Sequence, residues 1–217
     1  MKIQGHACEH PTVAGKPCCI CATHYWHRTP KLPRYIGLCG NPGSGKSEVQ
    51  NILRDRYGVK PVDDGFAFRD IGMRHFGMSE DDVYTQAGKR RSTLVLGEAL
   101  ENRDILGRIG LALEREFGTD ITHFFATREL PPGGSYSFGS VRRNAAAIKR
   151  DGGMLIAVRN PLTVVRQYDF DGFPIDLIDV WIENDAQARG LHGAAGLADL
   201  EAKVVAALEA WNERAAA

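Results

Sequence analysis

The sequence predicts an α/β domain, a parallel sheet with helices packed on it. Three observations carry that expectation. Short apolar runs alternate with segments of helical period. A Gly-rich turn joins the first apolar run to the first helical segment. The apolar content, 43% of 217 residues, is enough for one real core. Charged residues make up 25%, which excludes wholesale disorder, a collagen-like chain and a coiled coil. No stretch reaches the roughly 18 apolar residues of a membrane span. The start of the chain lacks the apolar run of a signal peptide, so a cytoplasmic protein is expected.

The elements follow in order. Tyr35 to Cys39 is an apolar run ending in glycine, read as a buried strand. Ser47 to Tyr57 carries Val49, Ile52 and Leu53 at helical spacing, and Val59 to Val62 reads as a second strand closed by Asp63-Asp64-Gly65. Phe66 to Phe76 is predicted helical, and Ser79 is the predicted cap of the next helix. Arg103 to Phe117 sets Ile105, Leu106, Ile109, Leu113 and Phe117 on one helical face. After the Pro131–Gly134 loop come a strand at 136–138, a helix at 141–150 and strands at 154–158 and 177–182. A closing amphipathic helix spans 197–211.

Between the first strand and helix stands Gly40-Asn41-Pro42-Gly43-Ser44-Gly45-Lys46-Ser47, which fits G-x-x-x-x-G-K-[ST] in its proper strand–turn–helix context. Glycines let the backbone wrap a phosphate, and successive N–H groups at a helix start face the anion. Lys46 can meet the β- and γ-phosphates and Ser47 can ligate Mg²⁺. The fold expected is therefore a P-loop NTPase three-layer sandwich, with ATP and Mg²⁺ as co-substrates. No base-recognition motif of a G protein is evident, and the body is small for a motor. A small-acceptor kinase fits better.

Such an enzyme needs cations around two phosphate groups. Arg142, Arg143 and Arg159 follow strand ends, where α/β ligand sites form, and Arg69 and Arg103 are further candidates. Lys89-Arg90-Arg91 reads either as part of a lid or as an ordinary charged helix end. Asp63 and Asp64 close the second strand. A carboxylate there can organise Mg²⁺ or take a proton from an attacking hydroxyl, although Asp-Asp-Gly is also good turn chemistry. The candidate catalytic set is Lys46, Asp63, Asp64 and Arg142.

IGLCGNPGSGKS, GFAFRD, RDILGRIG, SVRRNAAAIKRDGGMLIAVRNP and the tail from WIENDA resemble, in order, bacteriophage deoxynucleoside monophosphate kinases over residues 35–217. The resemblance implies a nucleoside-monophosphate-kinase fold and a deoxynucleotide acceptor. It assigns Lys46 and Ser47 to the donor phosphates and Arg69, Arg103 and Arg142 to acceptor-side or lid cations. Two positions depart from the family. Ser140 stands where an Asp often precedes Arg142, and Ala146 where a Glu often follows it. Related phage kinases phosphorylate 5-hydroxymethyluracil within DNA, a step of thymidine hypermodification. A hydroxyl acceptor would give the aspartates work, so that DNA acceptor is the favoured expectation. Conversion of free dNMP to dNDP is the alternative. A dephospho-coenzyme-A-type kinase and a zinc-containing nucleic-acid-binding ATPase are further ones. A phage-encoded enzyme would act in the host cytoplasm.

Residues 1–34 read as a separate arm. They hold five basic residues against Glu9 alone, so the formal net charge of zero hides a basic arm and an acidic body. Cys8, Cys18, Cys21 and His24 form a possible zinc set, because C-x2-C supplies half a knuckle and a short arm needs a staple. His10, Cys19 and His27 are spare ligands. With Tyr25, Trp26 and Arg28 the arm could contact DNA, or it could brace the kinase body.

Overall fold

The computed structural model describes residues 31–163 and 172–215. The expected zinc ligands Cys8, Cys18, Cys21 and His24 lie outside the described residues, as do Tyr25, Trp26 and Arg28. Among the described residues, no group of three or more His, Cys, Asp or Glu could hold a metal ion, and no helix is long and apolar enough to cross a membrane. The compact unit considered below begins at Leu32.

Five parallel strands form the main sheet: β1 (Tyr35–Cys39), β2 (Lys60–Val62), β5 (Tyr136–Phe138), β6 (Met154–Arg159) and β7 (Val180–Glu183). Their order is β2-β5-β1-β6-β7, with Ile36 beside Ser137 on one side and Met154 on the other. Side chains alternate across the strands. Ile36, Leu38, Met154, Ile156 and Val158 point to one face, where they meet α1 (Lys46–Tyr57) and the closing helix α8 (Gly193–Ala215) through Val49, Leu53, Val204 and Leu208. Tyr35, Cys39, Phe138, Leu155 and Ala157 point to the other, against Ala145 and Ile148 of α7 (Ala145–Arg150). Both strand faces are covered, so the strands read as continuous apolar runs.

A third apolar cluster stands apart from the sheet. Met78, Val83 and Ile105 form its centre, where α2 (Phe66–Phe76), α3 (Glu80–Tyr84) and α5 (Asn102–Phe117) meet. Ser79 caps α3 as expected, and Asp82 returns the bond to complete a capping box. Between the short α4 (Gln86–Lys89) and α5 the chain forms a hairpin, β3 (Ser92–Val95) and β4 (Glu98–Glu101). Buried Asn102 fastens its base: its amide donates to the Gly88 carbonyl at 2.9 Å and its oxygen accepts from the Thr93 hydroxyl at 2.6 Å.

Several expectations shift. The helix expected from 141 begins only at Ala145, because the Asn144 side chain takes the Arg142 N–H and Val141 N–H bonds back to Leu38. The stretch from 177 starts in a 3₁₀ turn (Ile175–Leu177), so β7 is limited to Val180–Glu183. Phe117, assigned to the core face of α5, is 68% exposed. The hairpin and α6 (Ile121–Thr127) carry no strong pattern and are new.

The hairpin turn is Leu96-Gly97, with both residues at positive φ as a two-residue I′ turn requires. Leu96 has φ 51° and a fully exposed side chain, so it bears the steric cost of that conformation without burial to offset it. Leu96→Asn is expected to raise unfolding free energy by about 1 kcal/mol in urea titration. An unchanged or lower midpoint would contradict that reading.

Candidate active site

The loops after β1 and β5 leave neighbouring strands toward opposite faces of the sheet, one into α1 and the other into α7. Ligand crevices of open α/β sheets form at such switch points, at the carboxyl ends of the strands. A cleft of about 920 Å³ opens there. It is lined by the Gly40–Ser47 loop, the Asp63–Gly65 turn, the Gly139–Asn144 loop and faces of α2 and α5.

The Gly-rich loop has the geometry its composition predicts. Gly40 (φ 133°) passes so close to β6 that a Cβ would lie 2.3 Å from the Val158 carbonyl oxygen. Lys46 Nζ folds back over the loop, donating to the carbonyls of Gly40 at 2.6 Å and Asn41 at 2.8 Å. No side chain caps the start of α1, and a helix N-terminus favours an anion. Pro42, Gly43, Gly45, Lys46 and Ser47 line the cleft, while Ser44 is buried behind them. Cys39 sits beneath the loop, and burial pushes its thiol up to about 12, which removes it as a nucleophile.

The two neighbouring aspartates have different surroundings. Asp63 forms an ion pair with Arg69, accepts the Gly65 N–H at 3.1 Å and accepts the Tyr84 hydroxyl at 3.1 Å. The Arg69 guanidinium in turn stacks over the Tyr84 ring at 5.0 Å, so Asp63 ties the β2 turn to α2 and α3. Asp64 turns inward and is 6% exposed. Its Oδ2 accepts the Ser140 N–H at 3.0 Å. Burial pushes its carboxyl up to about 6, against the opposing pull of that N–H, Arg142 and Lys46. Of the pair, Asp64 is the carboxylate that feels both the phosphate-loop lysine and the β5-loop arginine.

The cleft also holds a group of cations. Arg69, Lys89, Arg103 and Arg142 line the same cleft. Burial and the charges of the three arginines bring the Lys89 ammonium down to about 8. Burial also lowers Arg69. Like charges held this close in a partly dry cleft favour an anion between them. Arg143 stands at the margin, with its guanidinium 3.7 Å from Glu114. Arg159 is exposed beside Glu183 and lines no part of the cleft.

Lys89, read from the sequence as part of a lid or of a charged helix end, lines the cleft, and two contributors were not singled out there: Phe68 and Asn184. Asn184 ends β7 and is tied by its N–H to Arg159 at 2.7 Å. Its side-chain amide crosses to the Gly-rich loop and donates to the Ser44 carbonyl at 2.9 Å. A Cβ on Gly45 (φ 105°) would lie 2.3 Å from that amide nitrogen, so loop and side chain fit only with glycine there. Lys203 of α8 holds both neighbours of Asn184, donating to the Glu183 carbonyl and the Asp185 carboxylate, each at 2.6 Å.

No family model matches the sequence, and no curated protein matches it. Among solved structures the chain is similar to a dephospho-CoA kinase from Campylobacter jejuni. The identity is 13% and the TM-score 0.39, over 84% of this chain and 99% of the other. At that level neither substrate nor activity passes from one protein to the other.

Asn184→Asp replaces the donating amide with a carboxylate facing the Ser44 carbonyl of the Gly-rich loop. It is expected to weaken ATP binding at least about tenfold in calorimetry, while Asn184→Ala weakens it less. ATP affinity unchanged in both would mean the amide does not hold the loop.

Proposed function

We propose that the chain is an ATP-dependent phosphotransferase acting on a hydroxyl of a deoxynucleotide acceptor. The observation that supports this most is what lines one cleft: the Gly-rich loop, four cations, and the buried Asp64 carboxylate that feels Lys46 and Arg142. A phosphate loop alone serves many NTPases. A further group of cations suits an acceptor that carries its own phosphate, and a carboxylate suits one that gives up a proton.

In this reading the donor phosphates lie on the N–H groups of residues 40–47, with Lys46 on the β- and γ-phosphates. The residues present fit Mg²⁺, which keeps several waters and takes few protein oxygens: the Ser47 hydroxyl lines the cleft and would hold it. Bound there, Mg²⁺ would supply positive charge that neutralises the donor phosphates. Arg142 and Lys89 meet charge developing on the transferred group. The acceptor oxygen bonds to the γ-phosphorus, the bond from that phosphorus to the β,γ-bridging oxygen breaks, and ADP leaves. The hydroxyl proton passes to Asp64, whose Oδ2 is oriented by Ser140.

The favoured acceptor is the 5-hydroxymethyl group of 5-hydroxymethyluracil in DNA, where a hydroxyl and phosphates occur in one nucleotide unit. Conversion of free dNMP to dNDP is the second reading. The cation group favours it, because a phosphate acceptor needs anion binding and no base. ATP carrying labelled γ-phosphate, offered with 5-hydroxymethyluracil DNA and separately with dNMPs, distinguishes the two. Label in DNA is the expected result. Label in dNDP alone would select the second reading, and release of orthophosphate alone would overturn both.

Two variants sharpen the assignment. Lys46→Ala is expected to lower transfer at least about 100-fold. The acid limb of kcat/KM should lie near pH 6, because Asp64 must be ionised to take the proton and its carboxyl is raised to about 6. Activity is therefore lost as pH falls through that value. In Asp64→Asn the residual rate should be low and without that limb. A wild-type rate in Asp64→Asn would remove the base.

A further inference from the structure

Helix α5 presents an ordered face to the cleft. Arg103, Leu106, Gly107, Gly110, Leu111 and Glu114 all line it, at the spacing i, i+3, i+4, i+7, i+8, i+11 that keeps side chains on one side of a helix. The character of the face changes along its length. Its first residue, Arg103, belongs to the cation group with Lys89, Arg69 and Arg142. Its middle is apolar and low, and Gly110 brings no side chain of its own. A Cβ there would lie 3.7 Å from the Phe68 ring, so that ring lies beside the bare backbone of α5. Its last residue, Glu114, has a side chain only 14% exposed, with Arg143 at 3.7 Å. Burial raises the Glu114 carboxyl, with Arg143, the Thr122 hydroxyl and Arg142 pulling the other way. From Arg103 to Glu114 the helix rises roughly 16 Å.

We infer that this face is the acceptor's base subsite. The acceptor's phosphate lies at the Arg103 end, its ring lies flat on the Phe68–Gly110 strip, and Glu114 accepts an N–H from the edge of a nucleobase. The inference rests on the kinase reading for the identity of the cleft but adds a specificity residue that the reading does not supply. An anion at one end, a flat apolar floor and a partly buried acceptor at the other together match a nucleotide unit better than a simple phosphate or a flexible chain. The base would be one with an N–H at its pairing edge, as uracil and thymine have at N3. N3-methylation removes that hydrogen and puts a methyl group against the carboxylate.

The test is calorimetric binding of thymidine 5′-phosphate, its N3-methyl analogue and a short oligothymidylate to the full chain, alongside ATP. Wild type is expected to bind thymidine 5′-phosphate or the oligomer at least about tenfold more tightly than the methylated nucleotide. Glu114→Ala should bring that ratio to within about twofold, and Glu114→Gln, which keeps an acceptor oxygen, should restore part of it. ATP affinity should be the same in all three proteins, which also shows that the variants fold. A wild-type ratio near one, full discrimination in Glu114→Ala, or no binding of any thymidine nucleotide would overturn the subsite. Intact Glu114-dependent discrimination in a protein that does not bind ATP would instead overturn the kinase reading and leave the subsite standing.

Discussion

The register of three neighbouring parallel strands controls where the charges of the cleft meet. Val62 of β2 pairs with Phe138 of β5, and Gly37 of β1 pairs with that same residue from the other side. β2 and β5 therefore end level, β1 runs on to Cys39, and their loops deliver Asp64, Ser140 with Arg142, and the Gly-rich turn to one edge. A shift of one residue in β2 would exchange the faces of its side chains. Asp63 and Asp64 would then trade places, and the carboxylate now buried against Ser140 would pair with Arg69. Val62 packs on the apolar cluster that encloses Phe138, so a shift that turns Val62 to the other face is costly.

The electrostatics follow from that edge. A carboxylate buried at a cleft floor is held in tension: desolvation raises it, and Lys46, Arg142 and one backbone N–H lower it. The cations of the cleft are in the opposite condition, lowered by burial and by one another. A polyphosphate bound among them would favour charged Lys89 and Arg69, and would push the Asp64 carboxyl further up. Groups tuned away from their ordinary values and gathered in one cleft are what a phosphoryl-transfer site requires. Asp63 contributes differently, by joining the sheet edge to the separate α2–α3–α5 cluster through Arg69 and Tyr84.

Some of this was legible in the sequence, for reasons that differ by residue. The loop at 40–47 could be read because its function lies in backbone conformation, which glycine positions record locally. The strands β1 and β6 could be read because burial on both faces leaves apolar runs, whereas the partly exposed β7 was read too long. The arginines could not be sorted, because a chain with 27 Lys and Arg offers many candidates and only burial separates Arg69, Arg103 and Arg142 from Arg159. The Asp63–Asp64 choice depended on strand register, which two adjacent letters do not encode. Asn102 and Asn184 each make long-range amide bonds, and an asparagine looks the same in a loop as it does at such a post. Phe117 shows the reverse error: helical spacing continued past the end of the core, and the ring is in solvent.

The central claim is that donor and acceptor occupy one cleft, aligned end to end across Asp64. An adenosine–deoxythymidine bisubstrate analogue, with the two nucleosides joined through a chain of phosphates, reports on it most directly. If the two sites face each other, linking should make the second binding event intramolecular. The analogue should then bind at least about 100-fold more tightly than ATP, with one molecule per chain. An affinity no better than that of ATP, or two nucleotides bound independently, would contradict the account.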